Sequence, residues 1–101
     1  MEKTSEPVLG LAVMQVLATQ PKCEATVRTL IKYVPDYVNL TAEDQQQSES
    51  RPPEKTWEQR VRNLKSHDTT PGNVIGEGFV ERIVKGRYRL TIAGWSHLRK
   101  Q

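Results

Sequence analysis

Hydrophobic positions near the N-terminus predict two helices. The apolar run between Val8 and Leu17 covers more than one side of a helix, which indicates a buried helix. Pro7 suits the first turn of that helix, because its missing N–H would have no partner there, and Pro21 ends it. A second helix is predicted from about residue 23 to Tyr33. Its inward positions share one face: Val27, Leu30, Ile31 and Val34.

A polar stretch follows these two helices. Thr41 with Asp44 three residues later has the pattern of a capping box, which predicts a short helical turn. Residues 45–54 contain no apolar residue, so we expect a flexible polar loop there. The connector before the loop carries apolar side chains that should pack on the core.

The next stretch, Thr56 to His67, predicts an amphipathic third helix. Pro53 or Thr56 stands at its start, and Thr56 with Gln59 has the pattern of a second capping box. Trp57, Val61 and Leu64 fall on one side at 100° per residue and should be buried. Arginine pairs with guanine edges and asparagine or glutamine with adenine edges in the major groove. Side chains of this base-reading kind lie on the opposite side: Gln59, Arg62, Asn63 and Ser66. A solvated surface helix would have a similar polar face.

The C-terminal part predicts a β-hairpin and a last helix. Residues 79–84 and 87–91 alternate as strands around a Lys85-Gly86 turn, with Tyr88 and Leu90 facing inward. Thr91 caps the last helix, which has a predicted buried stripe of three residues: Ile92, Trp95 and Leu98.

This order of elements predicts an α+β fold, a winged helix-turn-helix with three helices, a β-hairpin wing and a short C-terminal helix. A single domain over residues 1–101 is expected. In such a fold the third helix enters the major groove and the wing lies along the DNA backbone. Basic or polar side chains around the helix and wing are the predicted DNA-backbone contacts: Arg60, Lys65, His67, Lys85, Arg87 and Arg89.

Charge is distributed unevenly along the chain. Residues 1–54 carry five Lys/Arg against eight Asp/Glu, a net −3, whereas residues 55–101 carry ten against four, a net +6. Concentrated positive charge favours a polyanionic partner such as nucleic acid. The single cysteine excludes an internal disulfide, and His67 and His97 lie far apart, so neither a metal site nor a cofactor is expected. The polar N-terminus and the short apolar run predict a cytoplasmic protein without a membrane span.

Three motifs carry a family resemblance: W-E-Q-R-V-R-N-L-K-S-H from Trp57, G-F-V-E-R from Gly78 and K-G-R-Y-R-L-T-I-A-G from Lys85. They resemble the winged-helix modules attached to prokaryotic restriction endonucleases, including the N-terminal domain of Mrr-type enzymes and modules associated with HNH nucleases. The matching positions are Trp57, Arg60, Val61, Arg62, Gly78, Phe79, Gly86, Tyr88, Thr91 and Gly94. The longer link after His67 is similar to the HNH-associated form.

The resemblance implies a double-stranded DNA-binding domain of a modification-dependent restriction endonuclease, reading N6-methyladenine in the major groove. A nuclease domain would then be its partner in a longer protein. Gln59, Arg62 and Asn63 would contact the adenine edge. Four residues would be candidates for the methyl contact: Trp57, Thr56, Val74 and Ile75. Trp57 could instead be a core residue. Val74 and Ile75 could instead pack their loop onto the third helix.

No nuclease motif is present in the 101 residues, so the chain is not expected to be an enzyme by itself. Three other functions remain open on the sequence. The chain could be a small winged-helix transcriptional regulator, a DNA-docking module blind to methylation, or a winged helix that binds proteins. Steep salt dependence of binding would separate the DNA-binding functions from the last one.

Overall fold

A computed structural model of the chain describes residues 2–49 and 53–101. Within these residues the chain is a compact α+β fold of four α-helices and one three-stranded antiparallel sheet. The helices are α1 (Glu6–Ala18), α2 (Val27–Tyr33), α3 (Thr56–Arg62) and α4 (Ile92–Arg99). The strands are β1 (Glu24–Thr26), β2 (Val80–Val84) and β3 (Arg87–Leu90). Two short 3-10 turns, Pro21–Cys23 and Val34–Asp36, precede β1 and follow α2.

Helix α1 is the centre of the core, as predicted, with Pro7 in its first turn. It packs against α2, α4 and the sheet. Its buried side chains lie on several sides of the helix: Leu9, Ala12, Val13, Met14, Val16 and Leu17. None of the helices in the described part of the chain combines the length and hydrophobicity that crossing a membrane requires.

Strand β1 was not predicted, and the second helix begins later than its apolar pattern suggested. Glu24–Thr26 pairs antiparallel with β3, so the strand order is β1-β3-β2. The chain reaches this edge because Lys22 and Cys23 adopt left-handed φ angles of 58° and 56°, which turn it sharply. Thr26 then caps α2, since its Oγ1 accepts a hydrogen bond from the Thr29 N–H at 3.3 Å.

The predicted hairpin is confirmed. In the last helix the predicted buried stripe is wrong at two of its three positions, whereas the third, Leu98, packs against the core. Thr91 does cap α4, accepting from the Gly94 N–H at 2.9 Å. However, Ile92 is 90% exposed and Trp95 is 45% exposed. The helix turns its Gly94 side inward instead, where a Cβ would lie 2.1 Å from the Phe79 carbonyl oxygen. This close approach to the start of β2 leaves no room for Ile92 and Trp95 on the buried side.

Helix α3 is shorter than predicted. It ends at Arg62, and the chain continues in turns through residues 63–70. Asn73, which is buried, contributes to this ending because its Nδ2 donates to the Leu64 carbonyl oxygen at 3.1 Å. The helix cap is Lys55 rather than Thr56, because Glu58 Oε1 accepts from the Lys55 N–H at 2.8 Å. Ser66 and His67 therefore lie in turns and not on the helix.

The polar segment before α3 is held at both ends. Gln47 and Lys55 form an isolated antiparallel bridge, and the Ser48 N–H donates to the Glu54 carbonyl oxygen at 2.7 Å. Ser48 is 4% exposed. The flexible loop predicted over residues 45–54 is thus tied down where it leaves and rejoins the fold, and residues 50–52 lie outside the described residues.

Candidate nucleic-acid interface

The buried side of α3 is the predicted one. Trp57, Val61 and Leu64 are 4%, 0% and 3% exposed and join the core cluster. The opposite side faces outward, as the helical spacing requires. Among the predicted base-reading residues, Arg62 and Ser66 are exposed, whereas Gln59 and Asn63 are half-buried.

Two of these outward side chains contact the segment that precedes α3. Arg62 Nε donates to Glu54 Oε2 at 2.8 Å, and Arg62 Nη2 lies 2.8 Å from the same oxygen. Ser48 Oγ donates to Gln59 Oε1 at 2.5 Å. The polar segment therefore borders the exposed face of α3 and holds two of its side chains.

Arg60, predicted to contact the DNA backbone, is occupied inside the protein. Its Nη1 donates to the Thr4 carbonyl oxygen at 2.7 Å, and its Nη2 pairs with Glu6 Oε1 at 3.0 Å. Asp44 Oδ1 lies 3.7 Å from Nη1, and only 17% of the arginine side chain is exposed. Arg60 therefore fastens the N-terminal segment to α3, and the prediction for this residue is corrected. Spacing alone placed it on the flank of the helix, without its carboxylate partners.

Asp44 is the buried residue at the centre of these contacts. It is 0% exposed, and its carboxylate accepts from the Thr4 N–H and the Thr41 N–H, each at 2.9 Å. Burial by itself raises the pKa of Asp44, but the hydrogen bonds from Thr4 and Thr41 together hold that pKa below its usual value. The predicted Thr41–Asp44 capping box is present, since the Asp44 N–H also donates to Thr41 Oγ1 at 3.1 Å.

An open groove of about 770 Å³ runs between the N-terminal segment and one flank of α3. Thr56, Gln59, Asn63 and His67 line its helix side. Three carboxylates line it too: Glu2, Glu6 and Glu43. Two cations, Lys3 and Arg60, line it as well, but Arg60 is already paired with Glu6. The carboxylates therefore outnumber the cations, and the surroundings of exposed His67 disfavour the predicted phosphate contact.

The hairpin lies against the chain just after α3. Burial raises the pKa of Tyr88 on β3 above its usual value, and the Lys65 backbone beside its hydroxyl group acts in the opposite direction. Lys65 itself is exposed and pairs with Asp68 at 2.6 Å. The hairpin therefore packs against the segment that follows α3.

Two of the predicted hairpin cations are paired across the sheet. Arg87 Nε lies 3.2 Å from Glu24 Oε1, and Arg89 Nη1 lies 3.5 Å from Glu24 Oε2. Arg89 also pairs with Glu81, whose hydrogen bond raises the pKa of the Arg89 guanidinium above its usual value. Carboxylates already neutralise both arginines, while Lys85, at the turn, has no ion-pair partner among the described residues.

The four methyl-contact candidates do not form one exposed apolar surface. Trp57 and Val74 are 4% and 3% exposed and belong to the core, so neither is available to a ligand. Val74 packs against α1 at Gly10, where an added Cβ would lie 2.4 Å from Val74 Cγ1. Ile75 is half-buried against the same core, and Thr56 uses its Oγ1 to donate to the Gln46 carbonyl oxygen at 3.0 Å.

Comparison with protein-family models, with curated proteins and with solved structures found no match to this chain. The family resemblance in the motifs around α3 and the hairpin therefore stays a prediction. In the described ranges, no three His, Cys, Asp or Glu side chains are grouped so that they could hold a metal ion.

Sequence reasoning missed one exposed cation at this surface. Arg82 stands opposite Tyr88 in the β2–β3 register and is exposed. It has no ion-pair partner within residues 2–49 and 53–101. The strand alternation contained the signal, because Arg82 falls on the same sheet face as Val80 and Tyr88, opposite to the face that carries the ion pairs of Arg89.

Proposed function

We propose that this chain is a winged-helix module that binds double-stranded DNA, with the outward face of α3 in the major groove and the β2–β3 hairpin along the phosphate backbone. The element order α1-β1-α2-α3-β2-β3-α4, with β1 paired to β3, is consistent with that arrangement. Base contacts would come from Gln59, Arg62, Asn63 and Ser66.

The observation that carries the proposal is the contact between Tyr88 and the Lys65 backbone. It brings Tyr88, and with it the face of the hairpin that carries Arg82, against the chain just after α3. A duplex presents base edges flanked by phosphates, so a reader of DNA needs polar side chains flanked by free cations. The outward side chains of α3 would supply the first, and the hairpin cations Arg82 and Lys85 would supply the second.

The finer proposal follows the motif resemblance: the chain is the DNA-binding part of a modification-dependent restriction endonuclease that reads N6-methyladenine. Asn63 and Gln59 are the side chains suited to an adenine edge. The burial of Trp57 and Val74 leaves Thr56 and Ile75 as the remaining methyl-contact candidates.

Fluorescence anisotropy with labelled duplexes tests both DNA binding and the reading of N6-methyladenine. Matched duplexes carry N6-methyladenine on neither, one or both strands, and each is titrated at several salt concentrations. Binding that weakens steeply with salt is expected, because each phosphate contact contributes about −0.9 to the slope of log K against log salt. Binding that strengthens with methylation would support the finer proposal, and equal binding to all duplexes would leave a methylation-blind module.

Lys85→Ala tests the contact of the hairpin with the phosphate backbone, and Lys100→Ala is its control. Both remove one exposed positive charge, but Lys100 follows α4, which packs on α1 rather than beside α3. Lys85→Ala should lower the magnitude of the salt slope by about one, and Lys100→Ala should not. Absent or salt-independent binding of the wild-type chain would reject DNA binding and direct attention to protein partners.

A further inference from the structure

The two side chains of the Glu54–Arg62 ion pair differ in exposure. The Glu54 side chain is 11% exposed, whereas the Arg62 side chain is 40% exposed. Glu54 Oε2 accepts a hydrogen bond from Arg62 Nε at 2.8 Å and lies 2.8 Å from Arg62 Nη2. The carboxylate therefore holds the inner edge of the guanidinium, and the outer part of the guanidinium faces solvent.

Glu54 is itself held by backbone contacts. Its carbonyl oxygen accepts from the Ser48 N–H at 2.7 Å, and the next residue, Lys55, is bridged to Gln47. Within the described residues, Glu54 Oε1 is buried without a hydrogen-bond partner. A buried carboxylate with one unsatisfied oxygen depends strongly on its charge partner, so Arg62 is fixed in orientation rather than loosely paired.

We propose that Glu54 positions Arg62 to read a guanine, so that the DNA sequence preferred by this chain contains a G·C pair at the base step facing Arg62. This inference rests on the proposed DNA binding. With Nε and one side of Nη2 engaged by Glu54, the remaining donors lie on Nη1 and the outer side of Nη2. Two parallel donors of this kind match guanine O6 and N7.

Holding the arginine in place has two consequences for recognition. A side chain ordered before binding loses less conformational entropy on contact with the base. The Glu54 charge also opposes a shift of Arg62 onto a phosphate, which would bring two anions together. Glu54 thus favours the base contact over the sequence-independent contact, and it does so without touching the DNA.

The experiment selects bound duplexes from a pool with a randomised central segment and sequences them for each variant. Wild type is expected to enrich guanine at one position by about tenfold or more, the order expected of a bidentate arginine–guanine contact. Arg62→Ala should lose the preference at that position alone. Arg62→Lys should lose it too, although it keeps the charge, because an ammonium cannot donate two parallel hydrogen bonds.

Glu54 is tested by two variants and one control. Glu54→Gln keeps a neutral acceptor oxygen and should retain part of the guanine preference; Glu54→Ala should retain almost none. Both should bind the unselected pool more tightly, because a negative charge near the DNA is gone. The control Glu49→Gln removes an exposed charge from the same segment and should leave the guanine preference unchanged. Thermal unfolding followed by circular dichroism establishes that each variant is folded.

The outcomes separate the two proposals. A wild-type chain that does not bind the pool rejects the proposed function. A chain that binds the pool but enriches no guanine, or enriches another base in an Arg62-dependent way, overturns the guanine assignment and leaves DNA binding standing. If both folded Glu54 variants keep the full preference, or lose preference equally at every position, Glu54 does not position Arg62.

Discussion

The two flanks of α3 use arginine in opposite ways. On one flank Arg60 points into a network with Thr4, Glu6 and Asp44, and its side chain is 17% exposed. On the other flank Arg62 meets a single carboxylate, Glu54, and stays 40% exposed. The same residue type, two positions apart on one short helix, thus joins parts of the fold in one case and reaches outward in the other.

The difference lies in where the carboxylate partners come from. Asp44 is fully buried and receives several hydrogen bonds, so a cation beside it is drawn inward to balance the buried charge. Glu54 approaches from the edge of the exposed face and reaches only the inner side of its arginine. A basic residue on a predicted recognition helix is therefore available to a ligand only when its acidic partners leave part of the guanidinium exposed.

Asp44→Ala should give the largest effect on stability. The variant leaves Arg60 with one of its two carboxylates and removes the acceptor of Thr4 and Thr41, so we expect a loss of about 3–5 kcal/mol in the free energy of unfolding. Urea unfolding followed by circular dichroism measures it. Asp36→Ala, an exposed aspartate in the 3-10 turn after α2, is the control and should change stability by less than about 0.5 kcal/mol. Equal effects of the two substitutions would refute the central role of Asp44.

Arg60→Ala should mainly lower the stability of the fold, whereas Arg62→Ala should mainly weaken DNA binding. Arg60→Ala removes the charged donor to Thr4 and Glu6 and should cost about 2–3 kcal/mol of stability. Arg62→Ala breaks a more exposed pair and should cost less, about 1 kcal/mol, but should weaken specific DNA binding by about 1–3 kcal/mol. Unfolding curves and anisotropy titrations on the same protein samples make the comparison. A reversed pattern, with Arg60 carrying the binding, would mean that the acidic flank faces the DNA.

Local signals in the sequence predicted some parts of this arrangement well. The Pro7 start of α1, the Thr41–Asp44 capping box, the hairpin and the Thr91 cap all depend on residues close together in the chain. Strand β1 and the exposed side of α4 depend on distant contacts, namely pairing with β3 and the approach of Gly94 to Phe79. The partners of Arg60 are more than fifty residues away for Thr4 and Glu6, so helical spacing carried no information about them.

Acid should weaken the contacts that Asp44 makes with Thr4, Thr41 and Arg60. The folded pKa of Asp44 lies below its unfolded value of about 3.9, so its contribution to stability is present above that value and is lost as pH falls through the folded pKa. Wild type should therefore lose stability below about pH 4 more steeply than Asp44→Asn, which has no carboxyl group to protonate there. Thermal unfolding between about pH 7 and pH 2 tests this. Parallel curves for the two proteins would show that Asp44 is not the titrating group.

The smallest expected effect is a difference between two arginines of the hairpin in the salt dependence of DNA binding. Arg82 has no carboxylate partner among the described residues, whereas Arg89 pairs with Glu24 and Glu81 on the other face of the sheet. If the unpaired cations of the hairpin make the phosphate contacts, Arg82→Ala should lower the magnitude of the salt slope of DNA binding by about one. Arg89→Ala should change it by much less, because two carboxylates already hold that charge at the sheet surface. The comparison is internal, since each substitution removes one arginine from the same hairpin. A larger slope change for Arg89→Ala would place the DNA against the sheet face that carries Glu81 and Arg89 instead of the face that carries Arg82 and Tyr88.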